Sequence, residues 1–289
     1  MDTFFYCVSD EDISQLKQRL ALTRWPDQSP GVPWSYGTDI SYMRGLIDYW
    51  QHEFDWRAQE AKLNSFPQLM VPVAGIKVHA LHIPGKGTNP RPLLLLHGWP
   101  GSVFEFLDII PRLTDPAAFG GDPADAFTVV APSLPGYGLS FTPGQKRFGI
   151  RQMADAAAEL MTALGYAKFG VQGGDWGSAI SASLGLHHAE RLTGMHLNFL
   201  SAIRRDPALY IDTSPEVQAF VAQLKQFSAE ETGYQMIQGT KPQTLAFALT
   251  DSPAGLAAWF VEKFRTWTDC DGNPESALSR DQMLADISF

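Results

Sequence analysis

Short apolar runs alternating with helical patterns fill the middle of the chain. Pro92-Leu93-Leu94-Leu95-Leu96 has the length of a buried strand. It leads into a helical pattern with Phe104, Leu107 and Ile110 or Leu113 on one face. Phe127-Thr128-Val129-Val130-Ala131 is a second strand, and its run turns at Pro132 to Ser140. A helix follows, roughly Gly149 to Leu164, closed by Gly165 as C-cap. Lys168 to Gln172 is a third strand, before the small-residue helical pattern Ser178-Ala179-Ile180-Ser181-Ala182. Met195 to Leu200 is a fourth. This βα alternation predicts an α/β fold with a parallel sheet covered by helices on both faces.

The flanks read differently. Near the start, Ser9 is placed to cap a helix carrying Ile13, Leu16 and Leu20. Thr38 is placed to cap a second, with Met43, Leu46, Ile47, Trp50 and Phe54 at helical spacing, and Asp55 starts a short third. Leu69 to Val71 and Ile76 to Leu81 form a hairpin turning at Ala74-Gly75. Beyond residue 200 the alternation stops and helices are expected to the end. Ser252-Pro253 opens one of them, as N-cap and first helical residue. Its aromatic face, with Leu256, Trp259, Phe260 and Phe264, reads first as packing.

Candidate chemistry centres on Gly173-Gly174-Asp175-Trp176-Gly177, between a strand and a helix. That is the context of a nucleophile elbow, in which glycines permit a sharp turn and the central side chain stands at the top of the sheet. A bare Gly-Gly-Asp in such a place is also a common turn with an Asp cap. As a nucleophile, Asp175 would attack an electrophilic carbon and leave an ester. His97-Gly98-Trp99-Pro100-Gly101-Ser102 supplies the second signal. An oxyanion hole built from two backbone N–H groups would here use Trp99 and Trp176. His97 reads as a structural residue of its loop rather than a base.

The three turns, His97-Gly98-Trp99-Pro100, Pro135-Gly136-Tyr137-Gly138 and Gly173 to Gly177, resemble epoxide hydrolases of the microsomal type. The leading Arg24-Trp25-Pro26-Asp27 and Pro33-Trp34 fit as well. The resemblance implies an α/β-hydrolase sheet with an N-terminal helical extension and a helical lid. It divides the chain into an extension (1–90), a hydrolase core (91–200) and a lid (201–289). It implies that Asp175 opens the epoxide, that Trp99 and Trp176 line the oxyanion hole, and that Tyr234 is one of two lid tyrosines assisting the epoxide oxygen. A histidine oriented by an acid would then activate water to release a vicinal diol.

One departure stands out. In the family the base and its acid follow the lid, on two more βα units of roughly 100 residues at ordinary element lengths. All seven histidines, His52, His79, His82, His97, His187, His188 and His196, precede residue 201. The last βα units are therefore expected to be missing, and the chain is expected to be an incomplete hydrolase.

Composition narrows the setting. The net charge of −9 argues against nucleic acid or an anionic membrane as partner. Met1-Asp2-Thr3-Phe4-Phe5 has no basic n-region or apolar h-region, and no run reaches spanning length. A cytoplasmic location is expected, with Cys7 and Cys270 reduced. No cofactor or metal is implied. The expected partners are a small-molecule epoxide and water, with a homodimer left open. Two other readings compete. A haloalkane dehalogenase-like hydrolase would share the aspartate ester and expel halide. A non-catalytic truncated scaffold would bind without turnover. No Gly-x-Ser-x-Gly occurs, which argues against a serine esterase.

Overall fold

The computed structural model describes residues 2–200 and 206–289. Met1 and the first residues of the expected 201–289 segment, 201–205, lie outside the described residues. Along the chain run β1 (Asp2–Phe4), α1 (Asp10–Ala21), α2 (Ile40–His52), α3 (Trp56–Asn64), β2 (Gln68–Val73), β3 (Ile76–Ile83) and β4 (Arg91–Leu96). Then come α4 (Ile110–Thr114), β5 (Phe127–Pro132), α5 (Ile150–Ala163), β6 (Phe169–Gly173), α6 (Asp175–His187) and β7 (Leu192–Leu197). Helices follow: α7 (Ala208–Ile211), α8 (Pro215–Glu230), α9 (Gly233–Thr240), α10 (Pro242–Asp251), α11 (Pro253–Trp267) and α12 (Arg280–Ser288).

The chain folds into two compact units. One comprises Met1–Val8, Asp55–Phe199 and Asp281–Phe289; the other comprises Ser9–Phe54 and Leu200–Arg280.

The first unit is built on a seven-stranded sheet in the order β1-β2-β3-β5-β4-β6-β7. The β5-β4-β6-β7 half is parallel, as the alternation predicts. The β1-β2-β3 half is antiparallel, and β3 joins β5 antiparallel, so the sheet as a whole is mixed. Both faces are covered. Leu94, Leu96, Val130, Val171 and Ala80 pack with α5 and α6 residues such as Leu160, Met161 and Ile180. Their strand neighbours Leu95, Val129, Ala131 and Leu81 point the other way, onto Val103, Leu107 and Ile110. Side chains alternate across a strand, so a strand buried on both faces reads as an unbroken apolar run. The β2–β3 hairpin turns on Ala74 (φ 52°) and Gly75 (φ 77°), two positive-φ residues as a tight two-residue hairpin requires.

Several expectations are corrected. The pattern after Pro100 is not one helix. It is a 3-10 turn, Val103–Phe106, followed by the short α4. Pro111 lacks an N–H and is tolerated only in the first turn, so no helix runs through it from upstream. The fourth parallel strand spans Leu192–Leu197 rather than Met195 to Leu200, because its partner β6 ends at Gly173 opposite Leu197. The edge strand β1 gave no periodic signal in only three residues.

In the second unit, α1 and α2 pack against α11. The cap of α2 is Asp39, not Thr38: Asp39 accepts from the Tyr42 N–H at 2.8 Å. The Thr38 hydroxyl instead donates to the Ala258 carbonyl at 2.7 Å. Ser252 does cap α11, accepting from the Gly255 N–H at 3.0 Å. Ala254, Ala257, Val261 and Phe264 form the buried stripe of α11, while Trp259 and Phe260 are partly exposed. No single helix among the described residues is long and apolar enough to cross a membrane.

Candidate active site

Asp175 is the first residue of α6, at the carboxyl end of β6. Its φ of 47° is unusual for a residue with a Cβ and costs about 1–2 kcal/mol. The surrounding glycines show what holds it there. A Cβ on Gly177 would come closer than 3.0 Å to the Leu96 carbonyl oxygen, and one on Gly173 would do the same with the Gly177 carbonyl. The Gly177 N–H donates to the His97 carbonyl at 3.0 Å. The first turn of α6 is thus seated directly on the end of β4.

The Trp99 N–H donates to Asp175 Oδ1 at 2.8 Å. The Trp176 N–H, next in the chain, also helps to lower the pKa of the same carboxylate. Of the two donors named from sequence, Trp99 hydrogen-bonds Asp175 and Trp176 adjoins it. Burial raises the Asp175 pKa, and the two N–H bonds pull it back down without cancelling the rise. Solvent still reaches the carboxylate, although protein fills most of the volume around it. The carboxyl group is thus held by the Trp99 amide within reach of solvent, which weakens the effect of burial.

His97 is buried and binds two loops. Its Nε2 accepts from the Leu134 N–H at 3.1 Å, which fixes the tautomer with the proton on Nδ1. Nδ1 then donates to the Gly98 carbonyl at 3.1 Å. Burial pushes its pKa down to about 4, so the ring is neutral near pH 7. This geometry is that of a loop clamp. Tyr137, from the Pro135 to Gly138 turn, packs edge-on to it at 5.4 Å. The Tyr137 hydroxyl is raised by burial and by the Asp175 charge, which places it in the field of the nucleophile candidate.

Two further acids were not singled out from sequence: Glu105, in the 3-10 turn, which feels the charge of Asp175, and Asp286, in α12, which adjoins Glu105 and Ser102. The Ser102 hydroxyl donates to Asp286 Oδ1. Glu105 had been absorbed into a helical pattern, and Asp286 carries no local motif.

Tyr234 lies in the second unit, in the first turn of α9. Its ring packs 5.1 Å from that of Trp267, and Gln235 Nε2 donates to its hydroxyl at 2.9 Å. Lys263 Nζ stands 5.2 Å from both ring centroids. No group of three or more His, Cys, Asp or Glu side chains suited to a metal occurs among the described residues.

With this geometry in view, the chain matches the epoxide hydrolase N-terminus family over residues 1–106 and the α/β-hydrolase fold family over residues 91–231. It is 36% identical over 303 residues to epoxide hydrolase 1 of Oryctolagus cuniculus, covering 96% of this chain and 67% of that protein. The chain belongs to the epoxide hydrolase family. A relative from Stigmatella aurantiaca (strain DW4/3-1) is 46% identical over 286 residues, covering 99% of this chain and 65% of its own length. The chain thus spans about two thirds of the length of these curated relatives. Among solved structures, the juvenile hormone epoxide hydrolase of the silkworm Bombyx mori superposes with a TM-score of 0.87 at 32% identity. That match covers 99% of this chain and 72% of the silkworm chain. The Aspergillus niger epoxide hydrolase gives 0.86 at 31%, covering 99% and 74%. This epoxide hydrolase family chain therefore has an α/β-hydrolase sheet, as its alternation and its elbow imply.

Proposed function

We propose that Asp175 opens epoxides by forming an alkyl-enzyme ester that is then hydrolysed to a vicinal diol. The observation that carries this reading is the Asp175 carboxylate, held by the Trp99 N–H at 2.8 Å on a strained strand-to-helix turn. One carboxylate oxygen bonds to an epoxide carbon, and the ring C–O bond breaks. The released oxygen takes a proton from an acid, for which Tyr234 is the proposed donor. Water then attacks the ester carbonyl, whose oxygen remains against the Trp99 and Trp176 N–H groups. Negative charge developing there is stabilised by donors already in place. Diol leaves and the carboxylate is restored. Hydrolysis needs a base to activate that water. His97 is excluded from the task by its two loop bonds and buried position.

An acidic chain with two free cysteines suits a cytoplasmic enzyme that removes reactive epoxides as detoxification. The test is intact-protein mass spectrometry after adding styrene oxide. The mass should rise by one whole substrate and map to the peptide containing Asp175. The Asp175→Ala variant should show no rise. Equal labelling of both proteins would overturn the assignment. Halide release from chloroalkanes without epoxide adducts would favour the dehalogenase reading instead.

A further inference from the structure

Glu105 is a titratable group beside the nucleophile that the proposed reaction does not use. Its side chain folds back over the loop of the Trp99 donor. A Cβ on Gly101 would overlap Glu105 Oε1, so glycine at 101 is what admits the carboxyl. The N–H groups of Gly98 and Ser102 lie on its carboxyl side and pull its pKa down, and the Glu105 N–H donates to the Ser102 carbonyl at 3.2 Å. Gly98 and Ser102 bracket the Trp99 N–H that holds Asp175. On the far side, Ser102 donates from its hydroxyl to Asp286 of α12 and accepts there from the Phe104 N–H at 3.1 Å. One carboxyl group thus lies against the loop at Gly101, between Trp99 and Ser102.

We propose that Glu105 is the positioning residue of the oxyanion loop, fixing the Trp99 N–H on Asp175 by accepting from the Gly98 and Ser102 N–H groups. The proposal rests on the reading of Asp175 as nucleophile. The protonation state agrees with the geometry. Burial first, then the charges of Asp286 and Asp175, raise the Glu105 carboxyl towards about 8; its side chain keeps contact with solvent, which weakens the share of burial as it does at Asp175. The charged groups facing it are Asp286 from α12 and Asp175 from the start of α6. A neutral carboxyl still accepts from both amides and adds no third negative charge. Solvent reaches one side of Glu105, so its proton can exchange without unfolding.

The test uses the full chain as wild type, Glu105→Gln and Glu105→Ala, with two measurements. Amide hydrogen exchange reads the loop peptide around Gly98 to Ser102, with the Phe127–Pro132 strand as control. Alkylation of Asp175 by styrene oxide reads the reaction as a function of pH. Ala should speed loop exchange by about tenfold, as losing two neutral hydrogen bonds of modest strength would, and slow alkylation by at least as much. Gln keeps an acceptor oxygen and should restore both to within about threefold. Wild type should change its alkylation rate as pH rises through about 8, and Gln should not. Unchanged loop exchange in Ala, or equal damage in Gln and Ala, would overturn the proposal. If wild type forms no adduct, the nucleophile reading fails while loop exchange still decides whether Glu105 holds the loop. If Ala does not fold, Glu105→Leu, which keeps the bulk and removes the acceptor, takes its place: loop exchange as slow as in Gln would overturn the proposal.

Discussion

Trp99 and Asp175 are 76 residues apart in the chain, yet the backbone N–H of the first donates to Oδ1 of the second at 2.8 Å. The contact needs Gly98. A Cβ built there would come closer than 3.0 Å to the Cβ, Cγ and Oδ1 of Asp175.

Gly98→Ala should therefore displace the carboxylate or the loop. Alkylation of Asp175 should fall by about 100-fold or more, the scale on which losing an oxyanion-type donor is felt. Gly239→Ala is the control, since a Cβ there meets nothing within 4 Å. Pre-steady-state labelling followed by mass spectrometry measures both. A Gly98→Ala rate near wild type would show that the loop adapts freely.

Tyr234→Phe removes the proposed proton donor while keeping the ring on Trp267. Ring opening should slow by roughly 10- to 1000-fold, at or below the usual general-acid contribution. Ester hydrolysis should change less. If stopped-flow finds the alkylation rate unaltered, Tyr234 is a packing residue.

Stability should fall as pH rises from about 6.5 to about 8. Glu105, raised to about 8, holds a proton in the folded chain that the unfolded chain has already released, while Asp286, raised to about 6, adds to the decline mainly below this window. Where the native state binds more protons, stability declines with pH. Below pH 6.5 the sign is contested. His79 and His97, lowered to about 4, stay neutral in the fold while unfolded histidines take up protons, so they favour a rise with pH. Urea midpoints at pH 6.5 and 8.5 measure the upper limb. Glu105→Gln should flatten it, and a midpoint that climbs over this range would contradict the assignment.

Lys263→Met should destabilise the second unit. Lys263 Nζ, with a side chain only 7% exposed, pairs with Glu231 at 3.2 Å and Glu262 at 2.7 Å. Removing it strands two carboxylates whose side chains are 19% and 25% exposed. Breaking a fully buried pair costs about 3–5 kcal/mol, and partial exposure of the two acids brings the expected loss to about 2 kcal/mol. Urea denaturation followed by tryptophan fluorescence reports it through Trp267, whose ring Lys263 covers. A loss under about 0.5 kcal/mol would show the pairs to be as weak as surface ones.

Much of this molecule was legible in its sequence because the relevant physics is local. A strand buried on both faces must be apolar at consecutive positions, and Leu93 to Leu96 are. A tight hairpin needs positive φ, and Ala74-Gly75 supplies it. A sharp elbow needs glycine wherever helix and strand backbones touch, and Gly173 and Gly177 stand at those points. The same motifs located Asp175, Trp99 and Trp176. Tertiary structure alone decided the rest. It paired the three residues of β1 with β2, moved the cap of α2 from Thr38 to Asp39, and broke the pattern after Pro100. It joined Ser9–Phe54 in one unit with Leu200–Arg280, and returned Asp281–Phe289 to the sheet unit. It set Asp286 against Ser102 across 184 residues, and closed Glu105 onto Gly98. No periodicity or turn rule reaches over such separations, because a polar side chain's partner is fixed by where the packed faces bring the two backbones, and only the folded chain specifies that.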